Sequence, residues 1–323
     1  MHQKISRIML IGFILIGFSC TARAADDYPN KPIQLVIPFP PGGPIDLSAR
    51  IVGEKMGEYL GQPVVAVNKP GGGTAIAAGS VASAKPDGYT LFSSPATLVF
   101  LPMITPNLSF KVSDFVPIGQ LVSFNFLLLV NKDVPVKTLP ELVEYAKKNP
   151  RALSYGGSTF GSTQHIIGEL LKLTANVDLQ FIPFGGENPA ITALLGNHIQ
   201  VGILTIFQWP HVKSNAVRAL AVLSAKRDPL LPQVPTAVEQ GFPDLSVAAG
   251  YNLFLAPAKT PAAIVKKLEG ALEKALQDKT TRERVEKTEL TPDFLNSRTT
   301  QALLDDEIKK WAPVVKKASI VVK

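Results

Sequence analysis

A chain of 323 residues, 46% of them hydrophobic and 18% charged, holds enough apolar material for two cores of usual domain size and leaves no stretch that reads as disordered. The formal charge of +7 is mild, and no Lys/Arg cluster stands beside aromatic residues, which argues against nucleic acid as a partner. A single cysteine, Cys20, excludes a disulfide framework.

The chain opens with Lys4 and Arg7, runs through apolar Ile8 to Phe18 and reaches Ala22-Arg23-Ala24, small residues at the two positions that a signal peptidase reads. Residues 1–24 are therefore expected to be a cleavable export signal. The apolar run is shorter than the about 20 residues a spanning helix needs. Cleavage would remove Lys4, Arg7 and Arg23 and lower the formal charge from +7 to +4. Cys20 would go as well, and with it thiolate metal sites and thiol nucleophiles. Lipidation of Cys20 is the competing reading, but Gly17 and Phe18 fit poorly the small aliphatic pattern before a lipidated cysteine.

Gln34 to Arg50, QLVIPFPPGGPIDLSAR, reads as strand, tight Pro/Gly turn and helix start. Pro44 suits the first helical position, and Leu47, Ile51, Met56 and Leu60 recur at helical spacing. A helix so placed turns unpaired N–H groups toward the space over Gly42 and Gly43, an arrangement that attracts anions. Val64 to Val67 is the next strand. A turn at Gly71 to Gly73, a helix of small residues and the strand Tyr89 to Phe92 follow. Neither the dinucleotide spacing nor the P-loop Gly-Lys-Ser/Thr is present. Ser93, Ser94 and Thr97 flank Pro95, where their hydroxyls either close a turn, the first reading, or face the cleft.

Phe124 to Val130, FNFLLLV, is a continuous apolar strand, followed by a helix from Leu139 to Lys148. Strands at Ala152 to Tyr155, Leu179 to Pro183, His198 to Leu204 and Val217 to Leu223 then alternate with helices after Ser162 and Pro189. The two strand-turn-helix units LSYGGSTFGSTQHIIGELL and LQFIPFGGENPAITALL repeat the device of the first loop. A polar, Pro-rich stretch, SAKRDPLLPQVPTAVEQGFPD, leads to the strand Tyr251 to Leu255 and to amphipathic helices over Pro261 to Gln277 and Thr299 to Lys317. Strand-helix alternation predicts an α/β fold with mostly parallel sheets. Two late helices need an early sheet to cover, which predicts one domain in two pieces, 25–124 and 251–323, around an inserted domain, 125–250.

These blocks resemble the Bug-type solute-binding proteins of tripartite tricarboxylate transporters. The resemblance rests on YPNKPIQLVIPFPPGGPID, GQPVVAVNKPGGG, AKPDGYTL, the Gly-rich loop before His165, RALAVLSAKRDPLLPQVPT and LAPAKTP, in that order over almost the whole mature chain. It implies a periplasmic two-domain clamp of the Venus-flytrap, type II-like fold, monomeric and without a cofactor. Such a clamp holds a small carboxylate in its cleft and delivers it to a membrane permease. Ligand contacts would fall on Pro41, Gly42, Gly43, Pro44, Ile45 and Asp46, on Gly157, Ser158, Thr159, Phe160, Gly161, Ser162 and Thr163, and on Phe184 and Gly185. Two departures make the expected pocket less polar. Pro44 and Ile45 stand where the family usually shows small or hydroxyl residues, and Phe184-Gly185-Gly186 replaces a Tyr followed by Lys or Arg.

Each residue also has a plainer reading. Asp46 is expected to reach back to the Gly43 N–H as a capping acid. Ser162 is the natural N-cap, yet four hydroxyls with three glycines in eight residues exceed what capping requires. His165 reads as a packed neutral imidazole, and His198 and His211 have no partner at metal-ligand spacing. Ile45, Phe160 and Phe184 either wall the cleft or turn back into their own domains. A secreted α/β hydrolase acting on a small ester or acid is the alternative from another class, but the G-x-S-x-G elbow is absent.

Overall fold

The computed structural model describes residues 27–246 and 250–318; the export signal expected at 1–24 lies outside them. In chain order the elements are β1 (Ile33–Ile37), α1 (Pro44–Leu60), β2 (Val64–Asn68), α2 (Ala75–Ala82), β3 (Thr90–Pro95), α3 (Thr97–Ile104), β4 (Phe115–Phe124), β5 (Phe126–Asn131), α4 (Leu139–Lys148), β6 (Ser154–Gly157) and α5 (Thr163–Ala175). They continue as β7 (Gln180–Pro183), α6 (Glu187–Leu195), β8 (Val201–Thr205), α7 (Trp209–Lys213), β9 (Val217–Val222), β10 (Gly250–Pro257), α8 (Ala262–Gln277), α9 (Lys279–Glu286), β11 (Thr291–Asn296) and α10 (Ser297–Ala318).

The strands form two sheets. One has the order β11-β4-β10-β3-β1-β2, drawn from both ends of the described chain, and the other has the order β7-β6-β8-β5-β9. The sheets are mixed rather than mostly parallel. β1 runs parallel to β2 and β3, and β6 runs parallel to β7 and β8. All pairings of β4, β5 and β10 are antiparallel. These are the strands at which the chain changes sheet, and they enter each sheet from the opposite end to the strand-helix units.

The single strand expected over Phe124 to Val130 is broken at Asn125, where the chain leaves one sheet for the other. Asn125 is fixed at the break: its carbonyl accepts from the Ile206 N–H at 2.8 Å and its amide donates to Asp228 at 2.8 Å. Ser93 and Ser94 lie in β3, fully buried, rather than in a turn. Ser93 shares hydrogen bonds with the Asn252 side chain, which joins β3 to β10. The Pro-rich stretch after β9 has little regular structure but still buries Leu231, Val234 and Ala237.

One apolar core runs through both halves. Val36, Phe92, Phe100 and Trp311 belong to the same buried cluster as Leu128, Tyr155 and Ile166. A second cluster fills the space between the first sheet and α1 and α8, and a third lies under α6. Among the described residues no helix is long and apolar enough to cross a membrane.

Candidate functional site

The first loop is built around Asp46. Pro44 opens α1 as its first residue, Gly43 is the N-cap with φ −77°, and Gly42 takes φ +91°, a conformation that favours glycine. The Asp46 carboxylate is almost wholly buried and accepts from the Gly42 N–H at 2.9 Å, from Arg50 Nε at 3.0 Å and from Asn68 Nδ2 at 2.7 Å. The capping bond thus comes from Gly42 and not from Gly43, because the left-handed turn aims the Gly42 N–H at the carboxylate. Asn68 also donates to the Phe39 carbonyl at 2.8 Å, so the end of β2 braces the loop as well. Burial opposes ionisation of Asp46, but the hydrogen bonds from Arg50, Asn68 and Gly42 and the Arg50 charge outweigh it and hold the carboxyl below its ordinary value.

The second loop joins β6 to α5. Ser162 caps the helix by accepting from the His165 N–H at 3.3 Å. His165 in turn braces the loop: Nδ1 accepts from the Gly161 N–H at 3.1 Å, and the ring stacks on Phe181 at 4.3 Å. Burial pushes its pKa down to about 4, with Glu169 opposing and Lys172 adding to the fall, so the imidazole is neutral at pH 7. Phe160 lies edge-on to both rings and is about half exposed. Ser158 Oγ donates to Gln164 Oε1 at 3.1 Å.

The third loop, between β7 and α6, is tied to the second by the Gly185 N–H, which donates to the Ser158 carbonyl at 2.6 Å. Its acidic residue, Glu187, accepts from Gln164 Nε2 at 2.8 Å, from the Thr205 N–H at 3.1 Å and from Thr205 Oγ1 at 2.6 Å, and the Gln208 side chain adds a further hydrogen bond. Burial of the carboxylate raises its pKa in spite of these bonds.

A cavity of about 360 Å³ lies where these loops meet. Pro41, Gly43, Pro44, Ile45 and Asp46 line it from the first loop, Ser158 and Thr163 from the second, and Gly185 from the third. Gly42, Gly157, Thr159, Phe160, Gly161, Ser162 and Phe184 are not part of the wall. The Phe184 ring instead packs beside Gly156 and among the residues under α6, so of the three apolar residues weighed for the cleft only Ile45 reaches it.

A fourth loop, β3 to α3, contributes Pro95, Ala96 and Thr97, so residues at the N-termini of α1, α3, α5 and α6 all border one space. First-turn N–H groups have no acceptor within their own helix, and four such ends make a strong collective donor. Phe39, Phe124, Phe126, Pro189 and Leu290 add apolar wall, and among the described residues no Lys, Arg or His lines it. Thr97 and Thr163 are also in the wall, as is Tyr251, whose buried hydroxyl has no hydrogen-bond partner among the described residues. Thr97 reads first as a turn residue because β3 runs on to Pro95, and the two phenylalanines escaped the sequence reading because they flank the change of sheet. The only available signal was the aromatic pair around Asn125. Among the described residues no group of three or more His, Cys, Asp or Glu can hold a metal ion.

The model of the tripartite tricarboxylate transporter family receptor matches residues 48–320. The chain is 34% identical to protein BugT of Bordetella pertussis over 99% of this chain and 100% of that one. Among solved structures it is similar to the periplasmic binding protein BugD, with 32% identity, a TM-score of 0.82 and coverage of 92% and 100%. It is also similar to MatC from Rhodopseudomonas palustris with bound malate, at 31% identity, TM-score 0.81 and coverage of 89% and 100%. An R. palustris protein with adipate is similar at 30% identity, TM-score 0.83 and coverage of 91% and 99%.

Proposed function

The chain belongs to the tripartite tricarboxylate transporter family of receptors, and from that premise we propose that it captures a small organic acid in its cavity and hands it to the membrane permease of such a transporter. The observation that carries this reading is the meeting of four helix N-termini on one apolar-walled space. A carboxylate docks against such N–H groups without a cationic side chain. The wall itself rewards an apolar ligand body, at about 25 cal/mol per Å² removed from water. The malate and adipate bound by two similar proteins support the ligand class.

The protein works as a monomeric binding protein in the periplasm and performs no chemistry. Ser158 donates to Gln164 rather than to an imidazole, and His165 spends Nδ1 on a backbone N–H, so neither pairs as nucleophile and base in the manner of a hydrolase. Residues 25–124 and 251–323 form one domain and 125–250 the other, a division supported by the distribution of strands between the two sheets. Export removes residues 1–24, so the intact mass of the periplasmic protein is expected to begin at Ala25 and to carry no lipid.

A thermal-shift screen over mono-, di- and tricarboxylic acids tests the reading, because a ligand at 100 times its Kd stabilises the folded state by about 2.7 kcal/mol. An acid with a ring or an aliphatic chain is expected to outcompete citrate in calorimetry. Tighter binding of citrate than of every apolar acid tried would refute the preference. The bound acid is expected to be recovered unchanged after long incubation, and turnover would favour the hydrolase.

A further inference from the structure

Two carboxylates line the cavity, and they are not equivalent. Asp46 is paired with Arg50 at 3.0 Å. Glu187, on the wall formed by the second and third loops, accepts only from neutral groups and has no cationic partner among the described residues. Its neighbours pass their donors toward it. Ser158 Oγ donates to Gln164 Oε1, Gln164 Nε2 donates to Glu187, and Thr205 Oγ1 donates to Glu187. Ser158, Gln164, Glu187 and Thr205 all line the cavity, and the Ser158 and Thr205 hydroxyls, each donating its proton within this network, keep acceptor lone pairs beside a carboxylate that has no cationic partner among the described residues. The first-loop wall instead offers backbone N–H groups at the start of α1. A dicarboxylate laid between the two would set its second charge against Glu187, whereas an N–H group there would find acceptors.

We propose that the ligand carries an N–H donor, an amine or an amide, beside its carboxylate, and that Glu187 is the residue that selects for it over a second carboxylate. The proposal rests on the reading of the cavity as an organic-acid site and narrows the class of acid. Nothing in the sequence marks Glu187, since an acidic residue opening a helix is an ordinary choice.

Calorimetry on the mature chain at pH 7 tests it with four six-carbon probes: hexanoate, adipate, the monoamide adipamate and 6-aminohexanoate. Adipamate or 6-aminohexanoate is expected to bind about tenfold or more tightly than adipate. Glu187→Gln is expected to abolish that margin, and melting of the ligand-free variant checks that it is folded. The wild-type ranking stands without any variant. Adipate binding as tightly as both N–H-bearing probes overturns the proposal and leaves the acid site standing, as does an unchanged margin in folded Glu187→Gln. Failure of all four probes, hexanoate included, overturns the acid site and the proposal with it.

Discussion

Gly42 and Gly43 are adjacent in the first loop but serve different ends. An added Cβ meets nothing within 4 Å at either position, so crowding inside the protein is not what keeps them glycine. Gly42 has φ +91° and lends its N–H to Asp46, so a side chain there strains the turn by about 1–2 kcal/mol. Gly43 has an ordinary φ of −77° and lines the cavity, so a side chain there occupies ligand space. Gly42→Val is expected to lower the Tm of the ligand-free protein, and Gly43→Val to leave the Tm in place while weakening binding of the best acid. Melting curves and calorimetry separate the two, and equal behaviour of both variants would contradict this division of labour. The pair of glycines and the acidic residue after them were legible in the sequence. Which glycine N–H meets Asp46 was not, because that depends on one backbone angle.

Helix α5 shows how a buried side chain sets a binding loop. His165 holds the Gly161 N–H through Nδ1, which it can do only while that nitrogen is unprotonated. Its pKa falls from 6.5 in the unfolded chain to about 4 in the folded one. Between those values the unfolded state takes up a proton and the folded state does not. Stability from this group is therefore full above pH 6.5 and is lost as the pH falls toward 4, by on the order of 3 kcal/mol in all. Urea unfolding is expected to give a stability that rises from pH 5 to 6.5 in the wild type and much less steeply in His165→Gln; parallel pH profiles would count against the assignment. The neutral packed histidine and the Ser162 cap were readable from residue order. Other elements were hidden. Helix α3 is apolar on all sides and contains Pro102, so it shows no helical period. β4 contains Pro117, which a paired strand tolerates only at an irregularity, and the register of β10 against β4 does skip Ile118 beside it.

At the scale of the whole molecule, closure of a two-domain clamp about the places where the chain changes sheet, at Asn125 and before β10, has to be squared with a core that continues from one sheet to the other. The halves also meet directly where the loop after β2 faces the second loop. A Cβ on Gly73, in the loop after β2, would lie 3.2 Å from the Phe160 carbonyl oxygen and 3.7 Å from Thr159 Oγ1. Because the nearer atom is backbone, it yields only if the whole second loop retreats. Gly73→Ala should therefore hold the two loops apart and weaken ligand binding. Gly73 also has φ +59°, so alanine strains it locally in any arrangement of the halves. Gly61→Ala isolates that cost, since Gly61 has φ +72° with open space around its Cβ and lies outside the cavity wall. Both variants are expected to melt lower without ligand, but only Gly73→Ala to lose affinity. Small-angle scattering should show the wild type contracting when saturated with its best acid and Gly73→Ala contracting less. Wild-type affinity in Gly73→Ala, or identical wild-type radii with and without ligand, would mean that the cavity fills without the halves closing on it.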